Sequence, residues 1–322
     1  MVKKREENVK MAANVESMFS GNRVKPWHGL GTIVDGTLTS DEAITAAGLD
    51  WEVKQAPSFI DVDGARINTG DIINYRTSDN SVLGTVRKTY KVIQNKEAFE
   101  FTDSLLESGV KYETAGSLNG GKTIFLLASM KESFKAVGDD IEPYLLFSNT
   151  HDGTSPVRVC MTNVRVVCQN TLNFALKNTK RSISLIHKGN MEGKIEEARK
   201  TLLYADQYNK EFVKDAERMA LKKVSKEEVQ SMLNKLFPID EEGMTPRQVK
   251  NMIRIYDNFY NALKADDLGN FRYTAWGVMN AMSDMVYHAE PLRHTERMNE
   301  RGMGFAINGS KILDDAYTIM AA

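Results

Sequence analysis

Residues 143–188 read PYLLFSNTHDGTSPVRVCMTNVRVVCQNTLNFALKNTKRSISLIHK. Tyr144 to Phe147 is an apolar run suited to a buried strand. Asn149-Thr150-His151-Asp152-Gly153-Thr154-Ser155-Pro156 is a polar turn, and Val157 to Cys168 is rich in the β-branched residues that strands favour. The chain then reads as helical from Asn170 to Leu176 and returns to a short strand, Ile183 to Ile186. Between Gly153 and Met191 there is no Asp or Glu, whereas Arg158, Arg165, Lys177, Lys180, Arg181 and Lys188 all fall there. With 43 acids in 322 residues, a stretch of that length should hold roughly five. An acid-free, basic, Asn/Gln/Thr-rich segment fits a surface that meets phosphates. A buried sheet whose few cations point outward fits it equally well.

Outward from this stretch the chain divides in two. Strands are expected at Trp51 to Ile60, Arg66 to Arg76 and Val82 to Val92, the first two joined through Gly64. Lys96 to Leu106 has helical spacing, and Val110 to Leu118 and Thr123 to Met130 flank Asn119-Gly120-Gly121-Lys122, a hairpin signal. Residues 131–142 read as a polar connection. Ahead of these strands, Thr39-Ser40-Asp41-Glu42 starts a short helix that Gly48 stops, and residues 1–20 form a polar lead-in, frayed or helical. After Gly189 the pattern is helical: Glu192 to Leu221, a helix opened by the Ser225–Glu228 capping box and closed at Phe237-Pro238, one begun by Thr245-Pro246, then Tyr273 to His288 and Lys311 to Met320. The fold class is therefore α+β: a mixed or antiparallel sheet with packed helices in the N-terminal body, followed by an all-helical C-terminal region. The organisation is a lead-in over 1–24, an α+β core with the basic segment over 25–190, and helices over 191–322.

Composition excludes several classes. Hydrophobic content of 42% and charged content of 26% are ordinary for a globular protein, and the net charge of −1 means that affinity for nucleic acid must come from local clustering. No run approaches the roughly 18 apolar residues of a membrane span, and the charged N-terminus lacks the apolar core of a secretory signal. Cys160 and Cys168 sit in one expected strand, about 26 Å apart and beyond disulfide reach, consistent with a reduced, cytoplasmic protein. His28, His151, His187, His288 and His294 show neither HxxxH nor HExxH spacing and have no CxxC companion, so no metal and no cofactor is expected. The Gly120-Gly121-Lys122-Thr123 run lacks the first glycine and the following helix of a phosphate loop. No catalytic constellation emerges.

Single-stranded nucleic acid asks for less: cations that track phosphates and aromatic faces for bases. Arg87 and Lys88 add to the six cations of the acid-free stretch. Trp27, Tyr90, Phe174 and His187 are candidate stacking groups, with His28 and His151 as pocket residues. In an unbroken strand Arg158 and Arg165, seven apart, face opposite sides.

The chain resembles the phage/plasmid-like proteins grouped under domain of unknown function 932. The likeness rests on Pro26-Trp27-His28-Gly29-Leu30-Gly31-Thr32, Ala47-Gly48-Leu49-Asp50-Trp51, Asn149-Thr150-His151-Asp152-Gly153, Val164-Arg165-Val166-Val167-Cys168-Gln169-Asn170-Thr171-Leu172 and Thr274-Ala275-Trp276-Gly277-Val278-Met279-Asn280-Ala281. It implies a mobile-element origin in a bacterial host and no particular activity. In the order of its elements the chain is also similar to phage single-strand annealing recombinases (the RecT, Redβ and Erf groups). That similarity implies a positively charged groove, homo-oligomers and ATP-independent strand annealing. On it, Arg158, Arg165, Lys177, Lys180, Arg181 and Lys188 would hold phosphates, and Asn163, Gln169 and Asn170 would contact sugars or bases. The C-terminal helices would mediate oligomer contacts or recruit a phage or host replication or recombination protein. Two rivals stand beside this expectation. One is a small-ligand or nucleotide-binding counter-defence protein with a pocket between the 26–32 loop and the 149–155 turn; the other is a metal-dependent hydrolase using His28, His151 and an acid.

Overall fold

A computed structural model of the chain describes residues 15–20, 32–33, 38–106, 111–130, 133–165, 170–171, 182–189, 193, 205–240, 242–289 and 310–322. Its centre is a sheet built on three antiparallel strands, β6 (Lys111–Leu118), β7 (Thr123–Ser129) and β9 (Asp139–Thr150), continued by β10 (Val157–Arg165). On the β6 side follow β1 (Val15–Ser20), antiparallel, and β2 (Thr32–Ile33), parallel to β1. The outer edge of β10 is shared by β11 (Asn170–Thr171) and β12 (Ser182–Leu185), and β8 (Phe134–Ala136) forms a hairpin with the start of β9. A separate three-stranded antiparallel sheet joins β3 (Val53–Val62), β4 (Ala65–Arg76) and β5 (Val82–Val86) in that order.

Alternation along the strands sets the packing. Ile124, Leu126 and Ala128 of β7, Leu145 and Phe147 of β9, and Val157 and Val159 of β10 point into one core. Helices α1 (Ser40–Ala46) and α2 (Asn95–Leu106) close that core with Ala43, Ile44, Ala98 and Phe99, and Val53 and Leu83 bring in the smaller sheet. The intervening residues Met18, Phe125, Leu146 and Cys160 cluster on the opposite face. The second large core is helical: α3 (Ala205–Leu221), α4 (Lys226–Leu236), α5 (Pro246–Leu263), α6 (Ala275–His288) and α7 (Lys311–Ala321). α6 runs through its middle, packed by α3, α5 and α7, and every residue from Ala275 to Ser283 is buried. Its start lies so close to the Asp266–Phe271 turn that a Cβ at Gly277 would sit 1.9 Å from the Phe271 carbonyl oxygen. Met161, Ala136 and Ile141 extend this core onto the sheet. Among the described residues, no helix is long and apolar enough to cross a membrane.

The α+β reading with a helical C-terminal region holds; the expected capping box forms at Ser225–Glu228, and Thr245-Pro246 opens a helix with Pro246 in its first turn and a further capping box to Gln248. Three local expectations are corrected. Val15–Ser20 is neither frayed nor helical but a strand inside the main sheet. Met18 and Phe19 are buried on opposite faces, so the segment lacks the one-sided alternation that identifies a half-exposed strand. The strand expected over Val82 to Val92 ends at Val86, where Arg87 to Tyr90 turn, with the Tyr90 N–H donating to the Arg87 carbonyl at 2.9 Å. Asn170 and Thr171, expected to open a helix, pair with Arg165 and Val164 as strand; the remainder of that expected helix lies outside the described residues. Truncating Trp276 to Ala should lower the unfolding free energy by about 3–5 kcal/mol. Ser225→Ala, which removes only a cap, should cost about 1 kcal/mol. Urea denaturation of the two variants checks the contrast.

Candidate functional site: a cleft around the 150–156 turn

The polar turn after β9 is held from four directions. The His151 N–H donates to the Lys122 carbonyl at 2.7 Å, tying the turn to the tip of the β6–β7 hairpin. The His151 carbonyl accepts from Asn74 Nδ2 of β4, also at 2.7 Å. The Tyr90 hydroxyl donates to the Thr150 carbonyl at 2.6 Å, and Asn149 Nδ2 donates to the Ile93 carbonyl at 3.1 Å. Backbone contact completes the seating: a Cβ at Gly84 of β5 would lie 2.5 Å from the Asp152 α-carbon, so only glycine lets the small sheet rest on the turn.

The His151 ring is fully buried and its tautomer follows from its neighbours. Asn95 Nδ2 donates to the carbonyls of Leu49 at 3.0 Å and Trp51 at 3.2 Å, which leaves Asn95 Oδ1 facing His151 Nε2 at 3.0 Å. Nε2 must therefore carry the hydrogen and Nδ1 the lone pair. The Trp51 ring meets the imidazole edge-on, with ring centres 5.5 Å apart. Burial, and secondarily the nearby His187, hold the His151 pKa down to about 3.

In front of this buried layer lies a cleft of about 500 Å³. Its floor is the Tyr90–His187 pair, stacked at 4.4 Å with rings 16° apart. The pair is locked by reciprocal backbone bonding: the Lys91 N–H donates to the His187 carbonyl at 3.0 Å, and His187 Nδ1 donates to the Lys91 carbonyl at 2.9 Å. Arg87 enters the cleft from the segment after β5 and Lys188 from the segment after β12, about a hundred residues later. Thr85, Thr89, Thr154 and Ser155 contribute hydroxyls, and Pro156 and Ile186, the latter 67% exposed, an apolar rim. Asp152 is the one acid among the described lining residues, and its Oδ1 accepts from the Thr154 N–H at 2.9 Å and the Thr154 hydroxyl at 2.6 Å. Lys88 and Lys91 stand exposed beside Arg87. Two cations, hydroxyl donors and an apolar rim suit an anion carried on a partly apolar molecule.

Of the residues singled out from sequence, Arg87, Tyr90, His187 and Lys188 converge on this cleft, with Lys88 beside it. Several expected roles change. His151 is buried behind the cleft and is not among its described lining residues. Asn163 is fully buried in β10 and cannot touch a sugar or base. Tyr90 and His187 stack on each other as the floor and are not open platforms. Arg158, half-buried on β10 between Ser148 and Ser184, lies outside the cleft lining. Trp27, His28, Gln169, Phe174, Lys177, Lys180 and Arg181, together with the side chains of Arg165 and Asn170, lie outside the described residues, as does the 26–31 side of the expected pocket. Among the described residues, no group of three or more His, Cys, Asp or Glu could hold a metal ion. Sequence reasoning missed the hydroxyls and the three asparagines, Asn74, Asn95 and Asn149. Isolated Thr and Asn residues carry no periodic signal, and only the fold shows that they face one turn.

His151 makes stability pH-dependent. Its folded pKa lies below the ordinary value of about 6.5, so the unfolded state takes up the proton first and stability falls as pH drops from about 6.5 towards about 3. Inside that window His151 contributes a loss of about 1.4 kcal/mol per pH unit. His151→Gln should show a correspondingly shallower dependence in denaturation curves recorded at pH 6 and pH 5.

Comparison with known proteins adds one finding. No curated protein and no solved structure matches the chain, and the looser likeness to single-strand annealing recombinases gains no support. The family described as Domain of unknown function (DUF932) matches residues 82–303, more than half of the chain. The matched span begins at β5 and takes in the Asn149–Gly153 turn, both cations of the cleft and the buried helix α6. The chain belongs to the DUF932 family.

Proposed function

We propose that the protein binds single-stranded nucleic acid, seating backbone phosphate in the cleft between Arg87 and Lys188. The observation that carries this reading is the convergence of those two cations, from segments about a hundred residues apart, on one hydroxyl-lined cleft whose single acid among the described residues, Asp152, is bonded within its own turn. The exposed Lys88 and Lys91 beside Arg87 extend the positive surface away from the cleft, as a chain of phosphates requires.

A second reading has its own support. The cleft volume falls among small-molecule sites, and the Tyr90–His187 stack leaves no open aromatic face for a run of bases. On that reading the ligand is a free nucleotide, its phosphate between Arg87 and Lys188 and its apolar part against Ile186 and Pro156.

Fluorescence anisotropy of a labelled single-stranded oligonucleotide across a salt series, with an unlabelled mononucleotide as competitor, separates the two. Nucleic-acid binding should weaken steeply with salt, and Arg87→Ala/Lys188→Ala should reduce the log–log slope by about 1.4, two lost single-strand phosphate contacts. Displacement by the mononucleotide at comparable concentration selects the second reading. Absence of oligonucleotide and mononucleotide binding at low salt rejects both.

A further inference from the structure

The β3–β4 hairpin outruns its sheet. β5 pairs with β4 only along Ile72 to Tyr75, and every residue from Phe59 to Asp71 is exposed. A bare two-stranded ribbon is marginal in water. Residues directly opposite in the ribbon share a face, so the pairs Ile60–Ile67 and Val62–Ala65 make one face aliphatic. Ile60, Val62 and Ile67 on that face are 51%, 43% and 47% exposed. The other face carries Phe59, Asp61, Arg66 and Asn68, with the Arg66 guanidinium 4.4 Å above the Phe59 ring.

The ribbon also has an open edge of known polarity. Asp63 and Gly64, both at positive φ, form a two-residue turn, which makes Val62–Ala65 and then Ile60–Ile67 the hydrogen-bonded pairs. The N–H and C=O of Phe59 and Asp61 therefore point away from β4. The same parity appears at the strand's base, where the outward N–H and C=O of Val53 are both taken by the Gln94 side-chain amide, each at 2.9 Å. Past that point β3 is the outer strand of its sheet among the described residues.

We propose that a second copy of this chain covers the edge, the two β3 strands pairing antiparallel about a two-fold axis at Ile60. This register sets Phe59 opposite Asp61 of the second copy, so the outward-pointing groups bond to one another. It places Ile60 against Ile60, fusing the two aliphatic faces into one strip. Asp61 then lies beside the Phe59–Arg66 stack of the other copy, carboxylate towards guanidinium. Neighbouring registers are worse. Centring on Asp61 puts like charges directly opposite, and centring on Phe59 sets Pro57, which has no N–H, against Asp61.

Light scattering of the full chain over a dilution series tests the pairing. The wild-type chain should have twice the chain mass and dissociate on dilution, and Ile60→Asp should be monomeric with an unchanged thermal melt. Asp61→Arg and Arg66→Asp should each weaken self-association roughly tenfold. Mixing the two variants should restore a dimer, because each then meets the opposite charge. A wild-type chain that is monomeric throughout, an Ile60→Asp variant that keeps the doubled mass, or a mixture that stays monomeric would overturn the proposal.

Discussion

The His151–Asn95 hydrogen bond is the constraint on which the rest of the site depends. It joins the end of β9 to the start of α2 inside a fully buried layer, and it works only with a neutral imidazole that keeps its hydrogen on Nε2. Because Asn95 is itself fixed by the Leu49 and Trp51 carbonyls, the orientation of the ring is set by the main chain ahead of β3. Everything in front of the ring inherits that placement: the turn carrying Asp152 to Ser155, the Tyr90 anchor and the backbone of β5 against Asp152. A layer of asparagines and one histidine between two sheets is costly to bury unless its hydrogen bonds are made. Its bonds here go mostly to backbone carbonyls, which fixes irregular segments from three parts of the chain without a strand ladder.

The cleft follows from that anchoring. Arg87, Thr89 and Tyr90 stand on a segment with no ladder of its own, and Lys188 lies in the segment that follows the short strand β12. Both are positioned by the Tyr90–His187 stack and the reciprocal bonds between Lys91 and His187. The electrostatics are local: a chain of net charge −1 concentrates cations where the acid-free stretch meets the Arg87–Lys91 segment. Asp152, the one acid among the described lining residues, accepts from the Thr154 amide and hydroxyl and so shapes the turn, and its single charge is outnumbered by those of Arg87 and Lys188.

The regular elements were legible in the sequence to the extent that their environment was regular. Caps at Ser225 and Thr245, the Asn119–Gly121 turn and the helical spacing of α2 and α6 report local chemistry, and the structure carries each of them. β1 was not legible, because a strand covered on both faces offers Met18 and Phe19 in succession where alternation would be expected. The acid-free stretch contributes Lys188, His187 and the turn at Thr154 to the candidate cleft. Its cations did not all converge: Arg158 lies away from the cleft, and Asn163 is interior. The half of the cleft contributed by Arg87 and Tyr90 read as the end of a strand. Only the tertiary bonds of Tyr90 to Thr150 and of Lys91 to His187 bring it to the turn.

The central claim is that three separated segments, 85–91, 150–156 and 186–189, form one binding surface. Amide hydrogen exchange of the full chain with and without a saturating single-stranded oligonucleotide tests it most directly. Slowed exchange in all three segments together, with α4 and α5 unchanged, is the expected result. Protection confined to the C-terminal helices, or to one of the three segments alone, would contradict it.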